Sequence, residues 1–137
     1  MSTKPETTFY TSVHKHLPPP SELYREKMSN PYRAGGADFW YSGNKRDLWV
    51  EWKFVVLPKR DDTPIRIDLS PLQREWLRRR HEEGRNVAVI VGCKEGGVAF
   101  RECNWEGTPL TCAAFKLFLQ PRAELANWIR DFTLGFP

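Results

Sequence analysis

The sequence predicts an α/β protein: a central mixed β-sheet flanked by helices, in the order αβββαβ. Three observations predict it. Residues 37–54 alternate with period two around a Gly-Asn turn signal. Ser70 to Glu83 carries both a start and a stop signal for a helix. Val87 to Val91 is a continuous β-branched apolar run, as expected of a strand covered on both faces. A chain of 137 residues suffices for one domain with a single core of two or three layers, and six Trp and eight Phe argue against disorder.

Taken in order, Pro5 to Leu17 is a helix whose Phe9, Tyr10, Val13 and Leu17 form one apolar stripe. Glu6 sits one turn before Tyr10 at the edge of that stripe, where it either points toward the following hairpin or simply complements the helix dipole. Leu17 to Arg33 contains Pro18 to Pro20 and many charges, and reads as a connection with one helical turn around Ser21 to Met28. The hairpin comes next, and then a surface loop, Leu57 to Pro64, which carries Lys59 and Arg60.

Ser70 is the N-cap of the clearest helix, Pro71 its first residue, and Gln73 completes a capping box; Gly84 ends it. Leu72, Trp76 and Leu77 are expected in the core, with Arg74, Arg78, Arg79 and Arg80 on a basic outer side. After the strand at Val87 to Gly92, Lys94 to Gly97 turns the chain into Val98 to Arg101. Pro121 starts a last helix with Leu125, Trp128 and Ile129 on one side. Phe115, Phe118, Trp128, Phe132 and Phe136 make this last third aromatic, consistent with core packing or with a homodimer interface.

The hairpin carries the chemistry. A loop at Ser42 to Lys45 sets Tyr41 opposite Arg46 and Asp38 opposite Trp49. Side chains then divide by parity: Asp38, Trp49, Glu51 and Lys53 share one face, while Phe39, Leu48, Val50, Trp52 and Phe54 share the other. A diagonal neighbour across such a pair lies roughly 7–8 Å away, so the Asp38 and Glu51 carboxylates can reach one ion. Asp47, about 13 Å along the strand from Glu51, is too far to share it. Two carboxylates and an ammonium on one spot suit a divalent cation and a phosphodiester. A plain salt-bridge cluster on a sheet face is the other reading of the same residues.

Ala37-Asp38 followed by Glu51-Trp52-Lys53 resembles the motif of the PD-(D/E)xK nuclease superfamily. Asp68 to Leu77, then Gly84 and Val87 to Val91, look like the helix and strand that follow the motif in virus-type replication-repair (VRR-NUC) nucleases and phage Holliday junction resolvase-like proteins. The likeness covers roughly Glu6 to Val91 and fades after Phe100; Ala37 stands where the motif has proline. It implies a restriction-endonuclease-like core and a single nuclease domain over residues 1–137, with 102–137 an extension available for dimerisation.

It also implies a Mg²⁺-dependent endodeoxyribonuclease, with Mn²⁺ substituting, that cuts branched DNA such as a four-way junction as a homodimer. Asp38, Glu51 and the Trp52 backbone carbonyl would hold the metal. Lys53 would stabilise charge in the transition state, and Glu6, with Glu22 or Glu26 as alternatives, would supply a further carboxylate. The resemblance places Gln73 near the metal-bound water or the scissile phosphate, a role compatible with capping.

Net charge +4 suits a polyanionic partner, and Lys59, Arg60, Arg74, Arg78 and Arg79 are the candidate phosphate contacts. Cys93, Cys103 and Cys112 have neither disulfide nor zinc spacing. No apolar run reaches membrane-spanning length and the start of the chain lacks an apolar signal region. The expectation is a soluble cytoplasmic protein, phage origin being compatible with the likeness. Two other functions fit the residues: a sequence-specific homing or restriction-type endonuclease on the same fold, and a non-catalytic basic module that binds nucleic acid.

Overall fold

The computed structural model describes residues 4–28 and 35–135. The elements run α1 (Pro5–His14), β1 (Tyr24–Lys27), β2 (Phe39–Ser42), β3 (Asp47–Phe54), α2 (Pro71–Glu82), β4 (Val87–Cys93), β5 (Gly96–Arg101), α3 (Cys112–Leu117) and α4 (Arg122–Leu134). The five strands form one sheet in chain order. Only β3 and β4 are parallel; the other neighbours are antiparallel. The first six elements realise the expected αβββαβ order, and the fold is restriction-endonuclease-like.

Parity divides the core in two. Phe39, Tyr41, Leu48, Val50, Trp52, Ala88 and Ile90 face α1 and α4, whose Phe9, Val13, Leu125 and Ile129 complete that layer. On the other face, Val87, Val89, Val91 and Val98 meet Leu77 of α2 and Phe115 of α3. All seven residues of β4 are buried, which is why its sequence is apolar without alternation.

Three expectations change. The hairpin loop is residues 43–46, with Ser42 opposite Asp47 and Tyr41 opposite Leu48, so the register moves by two residues. The end of α4 sets this: the Lys45 and Arg46 amides donate to the Thr133 carbonyl, and a β-carbon at Gly43 would lie 2.2 Å from that oxygen. Because the shift is even, the faces are unchanged, and Asp38 comes level with Glu51 instead of Trp49.

Second, Ser21 to Met28 is not a helical turn. Tyr24–Lys27 pairs with β2 as an edge strand, a long-range contact that overrides local preference. Third, Leu72 is exposed (57%), because it lies on the outer side of the first turn of α2; Leu77 is buried there and Trp76 half-buried. Residues 29–33 of the expected connection, and Phe136, lie outside the described residues.

The α2 capping box forms as expected, with Gln73 N–H donating to Ser70 Oγ and Ser70 N–H to Gln73 Oε1, and Gly84 closes the helix at φ +85. Pro121 is the N-cap of α4. The three cysteines are free thiols, Cys93 and Cys112 buried. Among the described residues, no helix is long and apolar enough to cross a membrane.

Candidate active site

The site forms where β2 and β3 part. Residues 39 and 41 pair with 50 and 48 across β2 and β3, but the ladder stops there. The Trp52 amide, next in line for a β2 acceptor, donates to Asp38 Oδ2 at 3.0 Å, while the Asp38 carbonyl turns to β1 and accepts from Met28 N–H. The main-chain N–H and C=O groups of even-numbered residues of β3 point toward β2, since the Trp49 and Val55 amides donate toward β4, to Asn86 and Gly92. A strand residue directs its N–H and C=O to the same side. The Trp52 carbonyl therefore points into the gap that the Asp38 carboxylate occupies.

Glu51 reaches this region from the face it shares with Asp38. It is 3% exposed. Oε2 accepts from Gln73 Nε2 at 3.2 Å and lies 3.6 Å from Lys53 Nζ, whereas Oε1 is buried with no hydrogen-bond partner. Burial, and then the neighbouring Asp38 charge, push the Glu51 carboxyl up to about 8, with Lys53 pulling the other way. A carboxylate in that state binds a cation or takes a proton.

Lys53 Nζ also donates to Gln73 Oε1 at 3.2 Å. Gln73 thus does two jobs: its oxygen completes the capping box and receives Lys53, while its nitrogen restrains Glu51. The structure brings Asp38, Glu51, Lys53, Gln73 and the Trp52 backbone together. Glu6 is in the first turn of α1, one turn before Tyr10, whose ring packs on Phe39 and Trp52. Glu26 is on β1 opposite Trp40, and Glu22 lies in the turn before β1. Among the described residues, no three His, Cys, Asp or Glu side chains come together.

The donor set fits Mg²⁺, which is held by one or two carboxylates while keeping waters and taking substrate phosphates. The buried Glu51 carboxyl, set against the Asp38 carboxyl and with Oε1 reached by no N–H donor, supports the fit.

Of the expected phosphate contacts, Lys59 and Arg79 are exposed. Arg74 donates to the Leu69 carbonyl, Arg60 pairs with Asp62, and Arg78 is tied to Glu106 and Glu75. Sequence reasoning missed the polar side chains behind Trp52, namely His14 and Tyr41. The position of His14 one turn after Tyr10 on the apolar stripe was the available signal.

No protein-family model matches the chain, and neither does any curated protein. A solved structure does: Hjc, a Holliday junction resolvase from the archaeal hyperthermophile Archaeoglobus fulgidus, superposes with a TM-score of 0.54 at 16% identity, over 88% of this chain and 99% of that one. At that identity the likeness is one of fold.

Proposed function

We propose that this chain is a metal-dependent endodeoxyribonuclease of the PD-(D/E)xK type, akin to the VRR-NUC and phage resolvase-like enzymes, that hydrolyses branched DNA as a homodimer. The observation that carries the reading is the Glu51 carboxyl, buried against the Asp38 carboxyl beside Lys53 and Gln73, so that two acids share one desolvated spot. The fold shared with a resolvase supports the substrate class.

Asp38, Glu51 and the Trp52 carbonyl would hold Mg²⁺, which when bound supplies Lewis acidity and a nucleophilic water. The chain itself supplies the rest. Lys53, fixed by Gln73 and Glu51, presents an ammonium to the phosphoryl oxygens as negative charge builds on them. The carboxamide of Gln73 holds both groups, accepting from that ammonium and donating to Glu51. Arg74 and Arg79 on the outer side of α2, with Lys59 and Arg60 in the loop after β3, lie along the duplex backbone and position it without reading sequence.

Four-way junction, flap, single-stranded and linear duplex DNA, each incubated with Mg²⁺ or with chelator, form the test. Cleavage of the junction with Mg²⁺ alone is expected. Asp38→Asn and Lys53→Ala should abolish turnover while junction binding persists; turnover retained in either refutes the assignment. A protein that stays monomeric at micromolar concentration on the junction refutes the dimer.

A further inference from the structure

Behind the carboxylates, on the apolar side of the sheet, lies a chain of polar side chains that the chemistry above does not use. Trp52 Nε1–H donates to Tyr41 Oη at 3.2 Å, and Tyr41 Oη lies 2.6 Å from His14 Nε2. Trp52 and Tyr41 are 1% and 0% exposed. A hydroxyl that receives the indole proton directs its own proton elsewhere, and His14 Nε2 is the acceptor in reach. Burial and the Arg25 charge hold His14 down at about 4, so its ring is neutral and able to accept. The imidazole is packed edge-on against Phe39, Tyr41 and Trp52. The chain therefore runs from α1 through β2 to β3.

Its place in the sheet gives it a consequence. Upstream of Trp52, β3 is held on this side by main-chain bonds to β2. At Trp52 those bonds end, and the peptide is fixed by a side chain on each face: the Asp38 carboxylate in front and the Tyr41 hydroxyl behind, through the indole. A displacement of the indole would shift the Trp52 backbone, whose N–H holds Asp38 and whose carbonyl faces the same gap.

We propose that His14 and Tyr41 are positioning residues for the metal site, clamping the Trp52 side chain so that the Asp38 carboxylate and the Trp52 carbonyl converge with Glu51. The proposal rests on the metal-site reading above. Residues that orient metal ligands from behind typically change metal affinity or activity by 10–100-fold when removed.

Calorimetric titration of the whole chain with Mn²⁺, without DNA, tests it through binding alone. Tyr41→Phe and His14→Leu should weaken Mn²⁺ affinity by about 10-fold or more, and His14→Gln, whose amide oxygen can still accept from Tyr41, should restore most of the loss. A purely structural role would lower the melting temperature of each variant yet leave the dissociation constant unchanged below it. Wild-type affinity in both Tyr41→Phe and His14→Leu overturns the proposal. If Tyr41→Phe does not fold, equal affinity in the His14 pair overturns it as well. Asp38→Asn separates the two readings: if it still binds Mn²⁺, the metal site itself falls, whereas its loss alongside an unaffected Tyr41→Phe sinks the clamp alone.

Discussion

Replacing Glu51 by Gln should stabilise the metal-free protein, and the gain should grow with pH. The sign follows from the carboxyl being raised from 4.5 to about 8 in the folded state. Such a group contributes nothing adverse below pH 4.5, where it is protonated folded or unfolded. Between pH 4.5 and 8 the unfolded chain ionises while the folded one resists, and stability falls as pH rises. At about 1.36 kcal/mol per pH unit, the deficit reaches on the order of 3 kcal/mol at pH 7.

Gln removes the ionisation while keeping an acceptor for Gln73 and offering an N–H to Asp38. Urea denaturation in chelator at pH 5, 7 and 8.5 should give curves that nearly coincide at pH 5 and separate above it, with Glu51→Gln the more stable. Mg²⁺ should close the gap by stabilising the wild type alone. The reasoning is wrong if Glu51→Gln is the less stable protein at pH 7. That outcome would make the Glu51–Lys53 pair a structural salt bridge, since breaking a buried pair by neutralising one partner is destabilising.

Three further outcomes are expected. Lowering the pH of the metal-free protein from 6.5 toward 4 should lose up to about 3 kcal/mol through His14, whose folded pKa is depressed, so that its contribution is present above 6.5 and lost as pH falls; His14→Gln should remove that part of the acid dependence, measured as the difference between the two denaturation series. Arg74→Ala and Arg79→Ala should each reduce the salt slope of junction binding by about 0.9, while Arg78→Ala, held by Glu106, should do less; equal slopes in all three would remove α2 from the interface. Gln73→Ala should lower unfolding stability by roughly 1 kcal/mol through the lost cap and also lower kcat with Mg²⁺, and an unchanged kcat would confine it to capping.

The site was legible because parity is robust. The faces of β2 and β3 follow from period-two alternation, and an even register shift leaves them intact, so Asp38, Glu51 and Lys53 meet although the turn lies one residue later than the sequence predicts and the pairing moves by two. Ser70, Pro71 and Gln73 marked α2 correctly because a capping box is local. What the sequence hid is tertiary. Nothing in Gly43 to Arg46 announces that the Thr133 carbonyl will hold the loop. Tyr24 to Lys27 become a strand only because β2 offers an edge, and Leu72 has the hydrophobicity of a core residue without the orientation. His14 and Tyr41 sit among apolar neighbours at apolar spacing, and their polar contact appears only once α1 is laid across the sheet.

The shared duty of Gln73 narrows what that position can hold. A helix start of this kind ordinarily accepts Glu as readily as Gln, but here a glutamate would set a third negative charge against Glu51 and Asp38. Asparagine is too short to serve the helix and the neighbouring strand at once. Two independent demands, one from the first turn of α2 and one from β3, thus converge on a single uncharged amide, and α2 cannot shift relative to the sheet without loosening its own beginning.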